Sequence, residues 1–385
     1  MSRKEDRYLR RQEKRNKRKD EINKLYGNYD NIIDTKVLID SYYKCRYGVG
    51  WKESVIQYGA NVWYNAAKLH DELANMKYKQ KKFVEFNLCE RGKLRHIRSI
   101  HVSDRVIQKS LSDNCLVPAL SNSFIYDNGA SLKGKGTDFA INRLTDHLKR
   151  FYRKHGTNGY IVLCDYKKFF DSLNHDVIYK MISNTFYDNR ILWLVKQMVD
   201  PIGDVGLGLG SQVNQILAVA YPNSIDHLVT CKYGIKYYGR YMDDFYFIVE
   251  NYDIAIKILD AITEASNKIF LSLNINKTKI IPLSQPFVFL KNHIILTTNG
   301  KVTKHIDHDN VYRQQRKLKR LSNKLSLNMM TYDEFRSAYT SWRGYALRKD
   351  NSFIVDNMDI LYNNIILDTW DYNDDDNLYI MNYIY

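Results

Sequence analysis

Lys236-Tyr-Tyr-Gly-Arg-Tyr-Met-Asp-Asp-Phe-Tyr-Phe-Ile-Val249 is the stretch on which the fold turns. Aromatic and β-branched residues lie on both sides of Asp243 and Asp244, so the pattern predicts two strands joined by a tight turn with two carboxylates at its tip. An isolated Asp-Asp pair is most often a solvated surface turn. Apolar strands of this length are not needed for one, however, and in a partly buried site the two like charges repel. That repulsion raises a pKa unless a cation sits between the carboxylates, and a divalent metal ion is the expected cation.

Upstream, Gly159-Tyr-Ile-Val-Leu-Cys-Asp-Tyr-Lys-Lys-Phe-Phe-Asp-Ser-Leu173 reads as a short apolar strand ending in Asp165. Helices are predicted over 175–185 and 189–199, a glycine-rich turn over Gly203 to Gly210, and a helix from Ser211 to Thr230. Beyond the hairpin come a helix over 252–267, a strand over 271–281, and a ribbon made of Phe287 to Leu296 with Lys301-Val302-Thr303. This order matches the split βαβ, ferredoxin-like arrangement, in which the first strand lies beside the hairpin and Asp165 faces Asp243 and Asp244.

The flanks are basic. Residues 1–24 predict a solvated helix or a flexible arm, and either attracts a phosphate backbone. One amphipathic helix is expected from Trp51 to Met76. A two-stranded ribbon then carries Arg91, Lys93, Arg95 and Arg98, suited to closing on a triphosphate or a template backbone. A helix follows from Asp104 to Leu116. Ser131 to Thr137, with Lys133 and Lys135, forms a glycine-rich loop ahead of a helix from Asp138 to His155. Past residue 305, basic helical segments over Tyr312 to Leu325, including Arg316, and over Thr331 to Arg348 suggest a small lobe that grips a duplex. The organisation expected is a basic arm (1–50), a first lobe (51–158), a carboxylate-bearing domain (159–300), a helical lobe (301–367) and an acidic, aromatic tail (368–385) to which no function is assigned.

Over 385 residues the formal net charge is +15, which points to a polyanionic partner, most simply nucleic acid. The 31 tyrosines offer rings for base stacking, although an A+T-rich genome also enriches Tyr, Asn, Lys and Ile. Five scattered cysteines without a Cys-x-x-Cys pair argue against a disulfide framework or a zinc site. No apolar run approaches the roughly 20 residues of a membrane span, and the N-terminus is charged, so no membrane partner and a cytoplasmic location are expected.

Taken together these residues resemble prokaryotic reverse transcriptases, over about residues 85–350. Tyr241-Met-Asp-Asp244 is similar to that family's catalytic box, and Asp165 with Phe170 to its first metal-binding motif. The resemblance implies an α+β, right-hand polymerase fold with a ferredoxin-like palm, fingers and a helical thumb. It implies catalysis by Asp165, Asp243 and Asp244, which with Tyr166 hold two Mg2+ ions, or Mn2+. Lys93, Arg95 and Arg98 fall where the fingers meet the incoming triphosphate, and Phe170 falls at the steric gate that favours deoxynucleotides. Leu209, Gly210 and Gln215 belong to a loop under the nascent base pair, and Lys277 matches a lysine near the leaving pyrophosphate. Phe289 and Lys291 resemble a primer grip, Ser341-Trp-Arg-Gly-Tyr345 with Trp342 a thumb-helix box. Nucleic-acid contacts are further implied for Lys133, Lys135, Tyr241, Met242 and Arg316.

One departure narrows the resemblance. Many reverse transcriptases carry Gln-Gly followed by Ser-Pro, where this sequence has Leu209-Gly210 followed by Asn214-Gln215. That variant is similar to enzymes of diversity-generating retroelements and of unassigned, defence-associated bacterial groups, and it speaks against a retroviral or group II intron type. The expected function is RNA-directed DNA synthesis on a dedicated noncoding RNA in antiphage defence. Its expected partners are template RNA, dNTPs and the DNA product, with room for a partner protein or a homo-oligomer. Diversity generation, an RNA-templated RNA polymerase and a non-catalytic RNA-binding scaffold are the competing readings. The primer is left open between RNA, DNA and a protein hydroxyl, and no RNase H, integrase or HNH segment is expected after the thumb.

Overall fold

The computed structural model describes residues 3–90 and 93–370, with backbone alone for 3–9, 11, 90, 93, 95, 96 and 368–370. The tail expected over 368–385 therefore lies almost wholly outside the described residues. The chain forms two units, one of residues 1–143 and 162–280, the other of residues 144–161 and 281 onward.

The first unit begins with α1 (Arg3–Tyr26), α2 (Tyr29–Ile33) and α3 (Thr35–Arg46). Only α1 resembles the basic arm expected over residues 1–50. Tyr29, Ile32, Leu38 and Tyr42 are buried, because from residue 29 the apolar residues recur at helical spacing and find a core. Asn28 and Asp34 cap α2 and α3 by accepting from free backbone N–H groups. The single helix expected over 51–76 is two, α4 (Glu53–Ala60) and α5 (Val62–Ala74), parted at Asn61. Gly59 stands just before the break, where a Cβ would collide with the Tyr42 hydroxyl, which itself donates to Val55 O at 2.8 Å.

Strands β1 (Val84–Glu90) and β2 (Lys93–Ser99) pair antiparallel. α6 (Val102–Leu111) runs through a π-helical turn, Ser112–Leu116, into α7 (Val117–Ser121). Next come α8 (Thr137–His155), β3 (Tyr160–Asp165), α9 (His175–Thr185) and α10 (Asn189–Val199). The helix expected over 211–230 is broken into α11 (Gln212–Ala220) and α12 (Asn223–His227), with a π-helical turn after them. Pro222 lies at the break, where it supplies no N–H for a continuous helix.

β4 (Tyr238–Tyr241), β5 (Asp244–Val249), α13 (Tyr252–Asn267) and β6 (Lys279–Pro282) complete a four-stranded sheet of order β4-β5-β3-β6. That is the ferredoxin-like order, with the hairpin's second strand beside β3. Successive residues of β3 and β5 are buried, so both sheet faces are covered. The strand expected over 271–281 is shorter than its alternating pattern suggests. Residues 271–278 instead make a loop in which Lys277 and Thr278 donate N–H groups to Asn274 O.

The second unit holds a three-stranded sheet, β7 (Phe287–Phe289), β8 (Asn292–Leu296) and β9 (Val302–Ile306), followed by α14 (His308–Ser326), α15 (Tyr332–Ala346) and α16 (Ser352–Trp370). Leu318, Phe335, Tyr339, Trp342, Val355 and Met358 form one apolar core among these helices. Trp342, read from the sequence as a nucleic-acid contact, is a core residue whose Nε1–H donates to Asn310 Oδ1 at 2.9 Å. Its helix spacing turns it inward with Phe335 and Tyr339. Phe289 is likewise buried.

Candidate active site

Asp165 ends β3 and is only 5% exposed. Its carboxylate accepts from Lys277 Nζ at 2.7 Å and Asn274 Nδ2 at 3.2 Å, and its carbonyl accepts from the Asn274 N–H at 2.7 Å. The loop that replaced the expected strand thus closes over the first carboxylate. Asp243 and Asp244 come from the hairpin, where Tyr241 pairs with Asp244 and leaves Met242-Asp243 as a two-residue turn. Met242 has φ +55°, a left-handed conformation that a non-glycine residue adopts at a cost in strain of about 1–3 kcal/mol. The Tyr166 N–H donates to Asp243 O at 3.3 Å, tying that turn to the end of β3.

Arg240 holds the turn from beneath. Its guanidinium is buried against Asp226 (2.7 Å), and it also donates to Val219 O at 2.8 Å and Met242 O at 3.2 Å. The Tyr238 hydroxyl donates to the same aspartate at 2.6 Å. Every acceptor in this cluster therefore has a donor, the condition under which a buried charge pair is tolerated.

Burial raises the pKa of Asp243, and the Asp165 carboxylate adds to the rise. Asp244 is pushed up to about 7, first by burial and then by the negative charges of Asp243 and Asp165. Lys277 is held above the usual lysine range, chiefly by its hydrogen bond to Asp165. The exposed Lys277 ammonium group thus offsets part of the negative charge of three crowded carboxyls.

Hard oxygen donors crowded in this way suit Mg2+ or Mn2+. Among the described residues, no three His, Cys, Asp or Glu side chains already stand as a cage for one ion. The donor chemistry decides the fit: the Asp165 carboxylate is engaged by Lys277, whose side chain is 62% exposed. Tyr166 points its own hydroxyl into the core, 3.2 Å from Ser266 Oγ, so its main chain alone is available to an ion.

Phe170 is the second residue of a 3-10 turn (Phe169–Ser172) and packs edge-on to Phe169 at 5.6 Å. Its carbonyl accepts the Leu207 N–H at 2.8 Å, so the glycine-rich loop is bonded to the segment carrying this ring. Gly206, at φ +92°, lies where a Cβ would meet Asp171 Cα and O at 3.2 Å. Gly206→Ala is expected to lower stability by roughly 1–3 kcal/mol, read as a fall in the urea midpoint with unchanged slope.

Leu209, Gly210 and Gln215 are exposed beyond that loop. A relay missed in the sequence supports it: Gln108 Nε2 donates to Gln80 Oε1 (3.1 Å), Ser211 Oγ to Gln108 Oε1 (2.9 Å), and Asn214 Nδ2 to Gly208 O (2.9 Å). Gln80 and Gln108 stand far from Ser211 and Asn214 in sequence, so the relay gave no local signal. Arg240 and Asp226 were missed too, although an arginine inside an aromatic strand is a visible oddity.

Lys93 and Arg95 fall on β2, and their side chains lie outside what is described. Arg98 donates to Ile202 O at 2.9 Å and Glu85 Oε1 at 3.1 Å. Lys133 is exposed, whereas Lys135 lies 5.0 Å over the Tyr126 ring and 4.9 Å over that of Phe139. Tyr241 and Met242 are half-buried at the hairpin. In the second unit, Lys291 sits at φ +62° in the β7–β8 turn and Arg316 lies over the Tyr312 ring at 4.2 Å.

The reverse transcriptase (RNA-dependent DNA polymerase) family model matches residues 79–294, more than half of the chain and all three carboxylates. The chain belongs to the reverse transcriptase family. Among solved structures it is similar to a telomerase from Candida tropicalis, without ligand and truncated from its C-terminal domain, at 17% identity and TM-score 0.47, covering 58% of this chain and 55% of that one. A Candida albicans telomerase in complex with a TWJ fragment of telomeric RNA gives 12% identity and TM-score 0.49, with 75% and 55% covered. The chain spans about half the length of these telomerases. No curated protein matches it. Among the described residues of this reverse transcriptase, no helix is long and apolar enough to cross a membrane.

Proposed function

We propose that this reverse transcriptase copies an RNA template into DNA, with Asp165, Asp243 and Asp244 as its catalytic carboxylates. The observation that carries the reading is their convergence, from the end of β3 and the adjoining hairpin, beneath the protonated Lys277. These three would hold two Mg2+ ions, or Mn2+, which when bound activate a primer hydroxyl and neutralise a triphosphate. Lys277 keeps its proton at Nζ beside them and is the group placed to give it to the leaving pyrophosphate. Phe170, fixed through its carbonyl, presents a ring that excludes a ribose 2′-hydroxyl. Phe170→Ala is therefore expected to raise ribonucleotide relative to deoxynucleotide incorporation on the order of 10-fold to 100-fold in single-nucleotide assays.

The template in this reading is a dedicated noncoding RNA, and the enzyme is a prokaryotic, cytoplasmic agent of antiphage defence. Support comes from Leu209-Gly210 with Asn214-Gln215, the variant loop shared by defence-associated and diversity-generating groups. The Asn214 amide, absent from the Ser-Pro form, here bonds Gly208 O and shapes that loop. Sequencing the nucleic acid that copurifies with the protein tests the proposal. DNA complementary to one discrete, copurifying RNA is expected. DNA mapping to a neighbouring variable repeat would instead favour diversity generation, and an absence of complementary DNA would overturn both.

A further inference from the structure

α1 is built unlike any other helix of the chain. From Arg10 to Lys19 it carries seven Lys or Arg, one Glu, one Gln and one Asn, with no apolar residue. Residues 13–18 are all exposed, and six successive residues take a helix through more than one and a half turns of about 3.6 residues. No side of α1 therefore rests on the body over this length. Among the described residues, it is attached just beyond that stretch, at residues 19–23. Asn23 Nδ2 donates to Thr185 O (2.9 Å) and Asn23 Oδ1 accepts the Tyr187 N–H (2.8 Å). The Tyr187 hydroxyl donates to Asp20 Oδ1 (2.7 Å), and Lys19 Nζ lies 4.5 Å over the Tyr187 ring.

A stretch of helix polar on every side gains nothing from burial and repels itself through its charge. Lys14–Arg18 holds four exposed cations and no acid. The counter-charge that suits it is a polyanion, and the composition says which kind. Without an apolar residue the segment offers nothing to a lipid interface or to an apolar protein groove. Without an aromatic ring it offers no platform for stacking single-stranded bases. Cations pointing in all directions are best met by phosphates on two sides, as between the strands of a folded nucleic acid.

We propose that the Lys14–Arg18 segment of α1 is a docking element for the phosphate backbone of folded RNA, separate from the carboxylate site. The choice of RNA rests on the function proposed above. The segment spans about 7 Å along the helix axis, enough to meet several phosphates at once. Recognition here is by charge and shape, so it discriminates folded from unfolded RNA and reads no sequence.

The test compares the full chain with Lys14→Gln/Arg15→Gln/Lys17→Gln/Arg18→Gln, because Gln nearly matches Lys and Arg in helix propensity and circular dichroism can verify retained helicity. Fluorescence anisotropy without nucleotides measures binding of a bulged RNA stem-loop, an unstructured RNA of equal length and a DNA duplex, each across a salt series. The quadruple variant is expected to lose on the order of 10-fold to 100-fold in stem-loop affinity. The magnitude of its salt slope should fall by about 2–4. Arg15→Lys/Arg18→Lys should bind like the parent, since charge alone is used. Unchanged stem-loop affinity and slope, equal losses on unstructured RNA, or preference for the DNA duplex would each overturn the proposal. Because no nucleotide is present, a protein that shows these differences yet makes no DNA keeps the docking element and sinks the polymerase reading alone.

Discussion

Changing Asp243 and Asp244 together to Asn is expected to cut nucleotide incorporation roughly 10³-fold or more while leaving the protein folded and, in EDTA, more stable than the parent. Both halves follow from the same geometry. The two carboxyls are half-buried on a strained turn beside Asp165, and burial with mutual repulsion disfavours their charged forms. Asn keeps the shape and removes the repulsion, a gain on the order of 1 kcal/mol of the kind seen when a site built for function is relaxed. Thermal melts in EDTA and with added Mg2+ check it: the parent should gain stability from the ion through preferential binding to the folded state, and the variant should not. A variant melting well below the parent in EDTA would show that these acids serve the fold instead.

Arg240→Met is expected to cost about 3–5 kcal/mol, because it strands the buried Asp226 carboxylate with only the Tyr238 hydroxyl as donor. Adding Asp226→Asn should recover most of that stability, since a neutral amide still accepts from Tyr238. It should not recover activity. The Arg240 guanidinium also donates to the carbonyl of Met242, the left-handed residue from which Asp243 and Asp244 follow. Without that donor the turn is free to relax, and the double variant is expected to remain about 10-fold to 100-fold slower. Chemical denaturation and single-turnover incorporation on the two variants separate the two effects. Equal recovery of stability and rate would reduce Arg240 to a packing role.

The sheet was legible because its signals are local. A run of apolar residues ending in Asp165, and aromatic residues flanking Asp243-Asp244, fix strand ends whatever the rest of the chain does. The loop over 271–278 was misread for the complementary reason. Leu271-Ser-Leu-Asn-Ile alternates like a strand, yet Asn274 is captured by Asp165 from more than a hundred residues away, and that tertiary bond bends the chain. Trp342 shows the same ambiguity in a helix, since an aromatic residue near basic ones can stack on a base or fill a core. The Arg240–Asp226 pair and the Gln80–Gln108–Ser211 relay join residues on separate elements, so no window of sequence contains them. Residues 29–46 were absorbed into the basic arm because the charge run ahead of them masked their helical apolar spacing.

The carboxylate triad as a template-directed DNA-synthesis site is tested most directly by single-nucleotide extension of a primer annealed to RNA. The assay offers each dNTP and rNTP in turn, with Mg2+ or Mn2+, to the parent and to Asp165→Asn. Metal-dependent addition of the deoxynucleotide complementary to the template base, lost in the variant, is the expected result. Failure to add any complementary deoxynucleotide with either ion, or equal addition by the Asp165 variant, would contradict it.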